Sequence, residues 1–269
     1  MNGFSVVLPA YQEGDGLRSS LGRLTAFLRS FMPGGEWELI VVDDGSRDAT
    51  AAIAREFARS APRHVRLVRH PRNRGLAAAL ESGAAAATYP LVVIVDADLS
   101  YAPETVGALV AALRETGSVC ALASPYMRGG HVADVPFSRL VASVLANRLL
   151  SWCAGGRVKT LTGMVRAYDA RILRELLARR GAAEFNSWSV AMMLGAKLPL
   201  VEVPARLAWP EYRRRTVGRM TASTLRRRTA GVLRSAASLL GFERGNVLTG
   251  KNARTFVPPE LGDGLMSRR

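Results

Sequence analysis

Residues 91–100 read Leu-Val-Val-Ile-Val-Asp-Ala-Asp-Leu-Ser. The opening apolar run, mostly β-branched, describes a strand buried on both faces. Such strands belong to parallel sheets covered by helices on either side. The run stops at Asp96-Ala97-Asp98. Two carboxylates one residue apart, just past a strand's carboxyl end, can share a divalent cation. In open α/β sheets, ligands gather at that edge. Taken alone, an Asp-x-Asp is more often an ordinary solvated turn than a metal site; its place behind a buried strand is what raises the metal reading.

Working outward, the same pattern recurs. Phe4–Leu8 is a short apolar run halted by Pro9, and Leu39–Val42 is another, ending in Asp43-Asp44-Gly45-Ser46. Val65–Val68 and Val119–Ala123 complete five strand candidates. Between them lie helical patterns at Leu17–Phe31, Thr50–Arg59, Leu76–Ala87 and Glu104–Glu115, the last with Pro103 at its first turn. Strand and helix in alternation predict an α/β fold with a mostly parallel central sheet flanked by helices. The polar clusters after Leu8, Val42 and Val95 all fall at the ligand-binding edge.

Beyond Ser124 the rhythm changes. Arg128-Gly129-Gly130 reads as a loop and Phe137–Trp152 as a helix. Val158–Tyr168 and Leu200–Leu207 are further strand candidates, with helices near Ala170–Arg179 and Asn186–Leu194. From Trp209 the chain is basic and strand-poor, Thr221–Leu240 reads as an Arg-faced helix, and the last ~20 residues read as a tail. The expected organisation is a catalytic domain at 1–208, split into halves 1–124 and 125–208, followed by a basic loop, helix and tail at 209–269.

Composition narrows the class. The chain has 269 residues, 48% apolar and 22% charged, the balance of a folded globular protein. No apolar stretch approaches a membrane span, and the N-terminus lacks a signal peptide's basic start. Two cysteines, Cys120 and Cys153, form no disulfide framework, and the expected compartment is the reducing cytoplasm. The net charge is +15, carried by 34 Arg and 3 Lys. Nine arginines stand against one acid, Glu211, between Ala205 and Arg234. A surface of that sign seeks phosphorylated substrates, anionic lipid or nucleic acid. The arginine run has no interleaved aromatics, which a single-strand nucleic-acid platform requires, so no nucleic-acid partner is expected.

The other clusters add chemistry to Asp96 and Asp98. Pro9-Ala10-Tyr11-Gln12-Glu13 supplies an aromatic face and a carboxylate, and Val42-Asp43-Asp44-Gly45-Ser46 supplies carboxylates suited to base and ribose hydroxyls. The latter is equally a good turn and helix cap. Arg72-Asn73-Arg74-Gly75-Leu76 opens an Ala-rich helix, where backbone N–H groups and Gly permit close approach.

These four segments, in this order and spacing, resemble the family 2 glycosyltransferases of GT-A fold, most closely the dolichol- or polyprenyl-phosphate mannosyltransferase branch. The resemblance implies that Pro9, Tyr11, Glu13, Val42, Asp43, Asp44 and Ala97 help hold a GDP- or UDP-hexose. It implies that Asp96 and Asp98 bind Mg²⁺ or Mn²⁺ on the diphosphate and are the catalytic pair. Phe137–Ser143 is similar to the branch's acceptor segment, so Arg139 and Ser143, four apart on one helix face, are expected at the acceptor phosphate. Leu161–Tyr168 is similar to its Leu-Thr-Gly-x-x-Arg-x-Tyr segment and adds Arg166. Arg213 and Arg219 match a basic pair near the diphosphate.

The sequence departs from the branch at five positions. Ser100 stands in place of Gln, Pro125 in place of Arg, Thr160 and Asn186 in place of Asp, and Gly218 in place of Ser. They leave the donor half intact and the acceptor open. A hydroxyl acceptor needs a base; an ionised phosphate does not, and acids are sparse after residue 125. The resemblance therefore implies a polyprenyl phosphate acceptor, approached from the cytoplasm by a peripheral protein on an anionic inner leaflet. A hydroxyl acceptor is the alternative. A nucleic-acid-binding protein on an inactive scaffold is the reading from another class. Gly245–Asn252 approximates a P-loop but lacks its Ser/Thr and a preceding strand. His64, His70 and His131 have no metal-ligand spacing and are expected at the surface or in loops.

Overall fold

The computed structural model describes residues 3–179, 185–211 and 222–243. Strand β1 (Phe4–Ala10) is buried along its whole length, as a strand covered by helices on both faces must be. Phe4, Val6 and Leu8 meet Leu17, Leu21, Leu24 and Leu28 of helix α1 (Gly14–Phe31), while Val7 turns to the other side against Ala79 and Leu80 of α3 (Leu76–Ala86). Each fully buried Leu contributes roughly 1.5–3 kcal/mol.

The remaining elements of the first half follow the expected alternation: β2 (Trp37–Asp43), α2 (Thr50–Ser60), β3 (Val65–Arg69), β4 (Leu91–Ile94), α4 (Glu104–Thr116) and β5 (Cys120–Ser124). Then come β6 (His131–Ala133), α5 (Phe137–Cys153), β7 (Arg166–Asp169), α6 (Ala170–Arg179), α7 (Phe185–Gly195), β8 (Leu200–Pro204) and β9 (Arg206–Ala208). Helix α8 (Ala222–Glu243) is the last described element.

The main sheet has the order β3-β2-β1-β4-β7-β5-β8. All its pairs are parallel except those of β7, which runs antiparallel between β4 and β5. Helices α1, α2 and α4 cover one face. The other is covered by α3, α6 and α7, with Ala236 and Leu239 of α8 in the same core. A two-stranded sheet of β6 and β9 stands apart.

The expectation of one strand over Val158–Tyr168 is corrected: only its end is extended. The N–H groups of Lys159 and Thr160 go to the Glu202 carboxylate, and those of Leu161 and Thr162 to Asn147 Oδ1. Two distant side chains take the place of a neighbouring strand. His70 lies in the loop after β3, as expected, but is buried there against Asp44 and Ser82. Cys120 lies in the core, where burial pushes its thiol up to about 12.

Candidate active site

A cleft of about 1,380 Å³ opens beyond the carboxyl end of β4. Asp96 and Asp98 line its inner end, on the turn that closes the strand. That turn bonds Leu99 N–H to Asp96 O at 3.1 Å and holds Leu99 at φ 48°. A non-glycine residue there costs on the order of 1–3 kcal/mol, kept by burial of the Leu99 side chain. Asp98 is itself buried, and Ser100 donates its N–H and its hydroxyl to Asp98 Oδ1 at 2.9 and 2.6 Å. Ser100 thus fixes the orientation of the Asp98 carboxylate. Two carboxylates converging on a cleft are hard oxygen donors that fit Mg²⁺ or Mn²⁺, cations that complete their shells with phosphate and water. Ala97 between them is buried.

Tyr101 follows on the same wall. Burial, together with the negative charge of Asp96, pushes its phenol far above the ordinary range, so it stays protonated. Among the described residues lining the cleft, Asp96 and Asp98 are the only carboxylates and there is no histidine.

A second cavity, about 480 Å³, sits at the ends of β1, β2 and β3. Tyr11, 43% exposed, lines it with Ser46, Arg47, Asp48, Arg69 and Arg72. Gly45 adopts φ 74° at its edge, and a Cβ there would collide with the Arg72 backbone. Asp43 is fully buried, accepting from Ser46 N at 3.0 Å and from Arg69 Nε at 3.1 Å. Glu13 heads α1, its N–H donating to Thr50 Oγ1. Pro9 is buried near the end of β1.

Two donor-side expectations change. The Val42 side chain is sealed in the core against the α3 surface at Gly83, so it presents nothing to a ligand. Both Asp44 oxygens are engaged: Oδ1 with His70 Nδ1 and Arg74 N, Oδ2 with Gly75 N. Asp44 therefore shapes the loop instead of facing the cavity.

On the acceptor side, Ser143 lines the cleft and accepts from the Tyr126 hydroxyl at 2.8 Å. Arg139, one turn earlier, lies over the Trp209 ring, 5.4 Å from its centroid, and Trp209 lines the cleft. Arg166 is corrected from a phosphate ligand to a buried strut. It is 1% exposed, and its guanidinium donates to Leu161 O at 2.6 Å, Asn186 O at 2.7 Å and Ser189 Oγ at 3.1 Å. Arg213, Arg219 and Gly218 lie outside the described residues, as do the P-loop-like segment and the tail. Asn147 escaped sequence reading. It is buried, its Oδ1 accepts from Leu161 N and Thr162 N, and its amide donates to Thr162 Oγ1, which lines the cleft. The signal was a polar residue on the buried face of α5.

Past Ser143 the cleft becomes apolar. Phe137, Val141, Leu145 and Leu149 line it from α5 and Leu233 from α8. Phe137 is 79% exposed, Leu145 60% and, further along α5, Trp152 72%. With Val141 and Leu149 between them, at steps of three or four residues, they make one stripe. No described helix is long and apolar enough to cross a membrane.

The comparisons with known proteins agree with this architecture. The chain is 33% identical over 174 residues to the polyprenol monophosphomannose synthase of Mycolicibacterium smegmatis, covering 64% of this chain and 63% of that protein. It is 34% identical over 139 residues to the dolichol-phosphate mannosyltransferase of Pyrococcus furiosus, covering 52% and 38%. The match thus spans less than two thirds of either relative. Among solved structures, the glucosyl-3-phosphoglycerate synthase of Mycobacterium tuberculosis, in complex with Mn²⁺, UDP and glucosyl-3-phosphoglycerate, superposes with a TM-score of 0.58 at 22% identity. That superposition covers 89% of this chain and 79% of that one, and the shared fold is GT-A. The family model for glycosyl transferase family 2 matches residues 5–177, and the chain belongs to that family.

Proposed function

We propose that the protein is an inverting, metal-dependent glycosyltransferase that moves a hexose, mannose by preference, from a GDP- or UDP-sugar to a polyprenyl phosphate. The observation that carries the reading is the continuity of the cleft. Its inner end holds Asp96 and Asp98, and its outer walls are the apolar side chains of α5 and α8. A substrate with a charged head and a hydrocarbon tail matches both ends at once. The relatives' names, both polyprenyl-type phosphate mannose transferases, support the same class.

In this reading the cavity at Tyr11 receives the nucleoside, with Asp43 and Glu13 beside it. Asp96 and Asp98 would hold Mg²⁺ or Mn²⁺, which supplies charge neutralisation for the departing diphosphate. Ser143, with Arg139, steadies the acceptor phosphate, while Arg213 and Arg219 are assigned to the donor diphosphate. Its oxygen attacks the anomeric carbon in line with the leaving group; the new C–O bond forms as the bond to the diphosphate breaks, and the electron pair leaves with the diphosphate. No proton has to be removed, because the acceptor is already ionised. The protonated Tyr101 phenol and a described lining with no further carboxylate or histidine suit that chemistry.

The α5 stripe and the arginines of α8 are read as the contact with an anionic leaflet, on the cytoplasmic face where nucleotide sugars are found. Incubation with Mn²⁺, labelled GDP-mannose or UDP-glucose, and either a short polyprenyl phosphate or sugar hydroxyl acceptors tests the proposal. Lipid-linked product is expected. Product formed only on hydroxyl acceptors overturns it.

A further inference from the structure

His70 joins three elements through one buried imidazole. It follows β3, and its N–H donates to Asp43 O at the end of β2, 2.9 Å away. Its Nδ1 lies 2.6 Å from Asp44 Oδ1 and its Nε2 2.8 Å from Ser82 Oγ on α3. A serine hydroxyl both donates and accepts, so the ring is satisfied whether one or both nitrogens carry hydrogen. Asp44 also accepts from Arg74 N–H and Gly75 N–H at 2.9 and 2.8 Å. These bonds stitch down the turn of residues 70–75.

That turn is a shared wall. Pro71, Arg72 and Asn73 line the smaller cavity, while Leu76 and Ala77, which follow it, line the cleft of Asp96 and Asp98. Its position is tightly determined, because the Arg72 backbone packs against Gly45 with no room for a Cβ. An imidazole so enclosed, with both nitrogens engaged and no surface on either cavity, has no direct part in binding.

We infer that His70 is a positioning residue for the nucleotide: through Asp44 it holds the 70–75 turn in the shape that receives the donor. The inference rests on the reading of the Tyr11 cavity as the nucleoside site. Loss of the imidazole leaves Asp44 with one partner fewer and removes the bond from Ser82 of α3 to the residue that follows β3. The turn then samples other shapes, and the binding-competent fraction falls.

Asparagine and glutamine separate the two ring nitrogens. Asn places an amide N–H where Nδ1 stood and keeps the Asp44 bond; Gln reaches toward Ser82 instead. Titration of GDP and UDP with Mn²⁺ into full-length wild type, His70→Asn, His70→Gln and His70→Ala, each followed by calorimetry below its melting temperature, reads the effect. His70→Ala and His70→Gln should weaken nucleotide binding about tenfold, the scale of one charge-assisted hydrogen bond. His70→Asn should stay within about threefold of wild type by keeping that bond. A purely structural histidine would lower the melting temperature and leave affinity alone. Wild-type-like affinity in His70→Gln, or equal losses in His70→Asn and His70→Gln, overturns the inference while the donor reading stands. Failure of the wild type to bind either nucleotide overturns both. Should His70→Ala not fold, the Asn and Gln variants still decide.

Discussion

Ser100 donates twice to the same oxygen of Asp98, through its backbone N–H and its hydroxyl, at 2.9 and 2.6 Å. The pair points to a graded response. Asp98→Ala should lower transfer at least 100-fold, the scale of losing one electrostatic stabiliser of the leaving group. Ser100→Ala keeps the backbone bond and should cost about tenfold, with a raised Mn²⁺ requirement. Mn²⁺ titration of initial rates checks both, and wild-type turnover in Asp98→Ala removes the metal assignment.

The stacking of Arg139 on Trp209 places a cation beside the cleft. Arg139→Ala should raise the acceptor KM about tenfold and the donor KM less than twofold, as removal of one charged contact does. Trp209→Leu should shift the acceptor KM the same way by a few-fold, since cation–π contact contributes about 0.5–2 kcal/mol. Steady-state kinetics with each substrate varied in turn measures this. Equal effects on donor and acceptor would mean that Arg139 is structural or donor-side.

Arg166 answers to carbonyl oxygens of Leu161 and Asn186, so its replacement should be felt as stability. A lysine cannot reach both with a fork. Arg166→Lys should lose about 2 kcal/mol, roughly 4–8 °C in melting temperature for a chain of this size. Calorimetry tests it, alongside the acceptor KM. An unchanged melting temperature with a raised KM would return Arg166 to the acceptor.

For the proposed membrane contact, the two chemistries separate by salt. Phe137→Ser with Trp152→Ser should reduce partition to vesicles of phosphatidylglycerol and phosphatidylcholine at every salt concentration, by tenfold or more on the scale of about 1.5–3 kcal/mol per large apolar side chain. Replacing Arg226, Arg227 and Arg228 together by Ala should matter at low salt only, at about 1 kcal/mol each. Flotation that leaves both variants with wild-type partition defeats the assignment.

Glu38 carries a pH signature. Burial alone would raise its carboxyl, but bonds from Ser5 Oγ, Thr88 N and Thr88 Oγ1, with the Arg66 charge, together hold it below the ordinary carboxylate range. A lowered folded-state value adds stability that is present above the unfolded carboxylate's range and lost as the pH falls through the folded value. Glu38→Gln should therefore melt about 3–5 °C below wild type at pH 7. The gap should close as wild type protonates under acid. Melting curves from pH 7 downward show it, and a gap that persists unchanged would contradict the argument.

The first half of the chain was legible because its strands are continuous apolar runs, such as Val92–Val95, and its helices have Pro, Gly or polar punctuation. The expected helix at Phe137–Trp152 appears as Phe137–Cys153, and that at Ala170–Arg179 appears unchanged. Strand β6 was missed, since three residues carry no period. The antiparallel insertion of β7 was also missed, because strand order depends on contacts distant in sequence.

The sequence by itself determined the parallel sheet, the edge at which the cleft opens and the carboxylates Asp96 and Asp98 that line it, since burial pattern and strand ends are local properties. Tertiary structure decided which polar residues line a cavity and which serve the fold. Arg166, Asp44 and His70 read like binding or loop residues on the page. Each is enclosed because distant groups, Leu161 O and Asn186 O for the arginine, Gly75 N and Arg74 N for Asp44, and Ser82 Oγ for the histidine, were there to bond it, with Arg166 Nε left as the exception among the described residues. A buried polar group must find partners, and which partners reach it depends on how the chain packs.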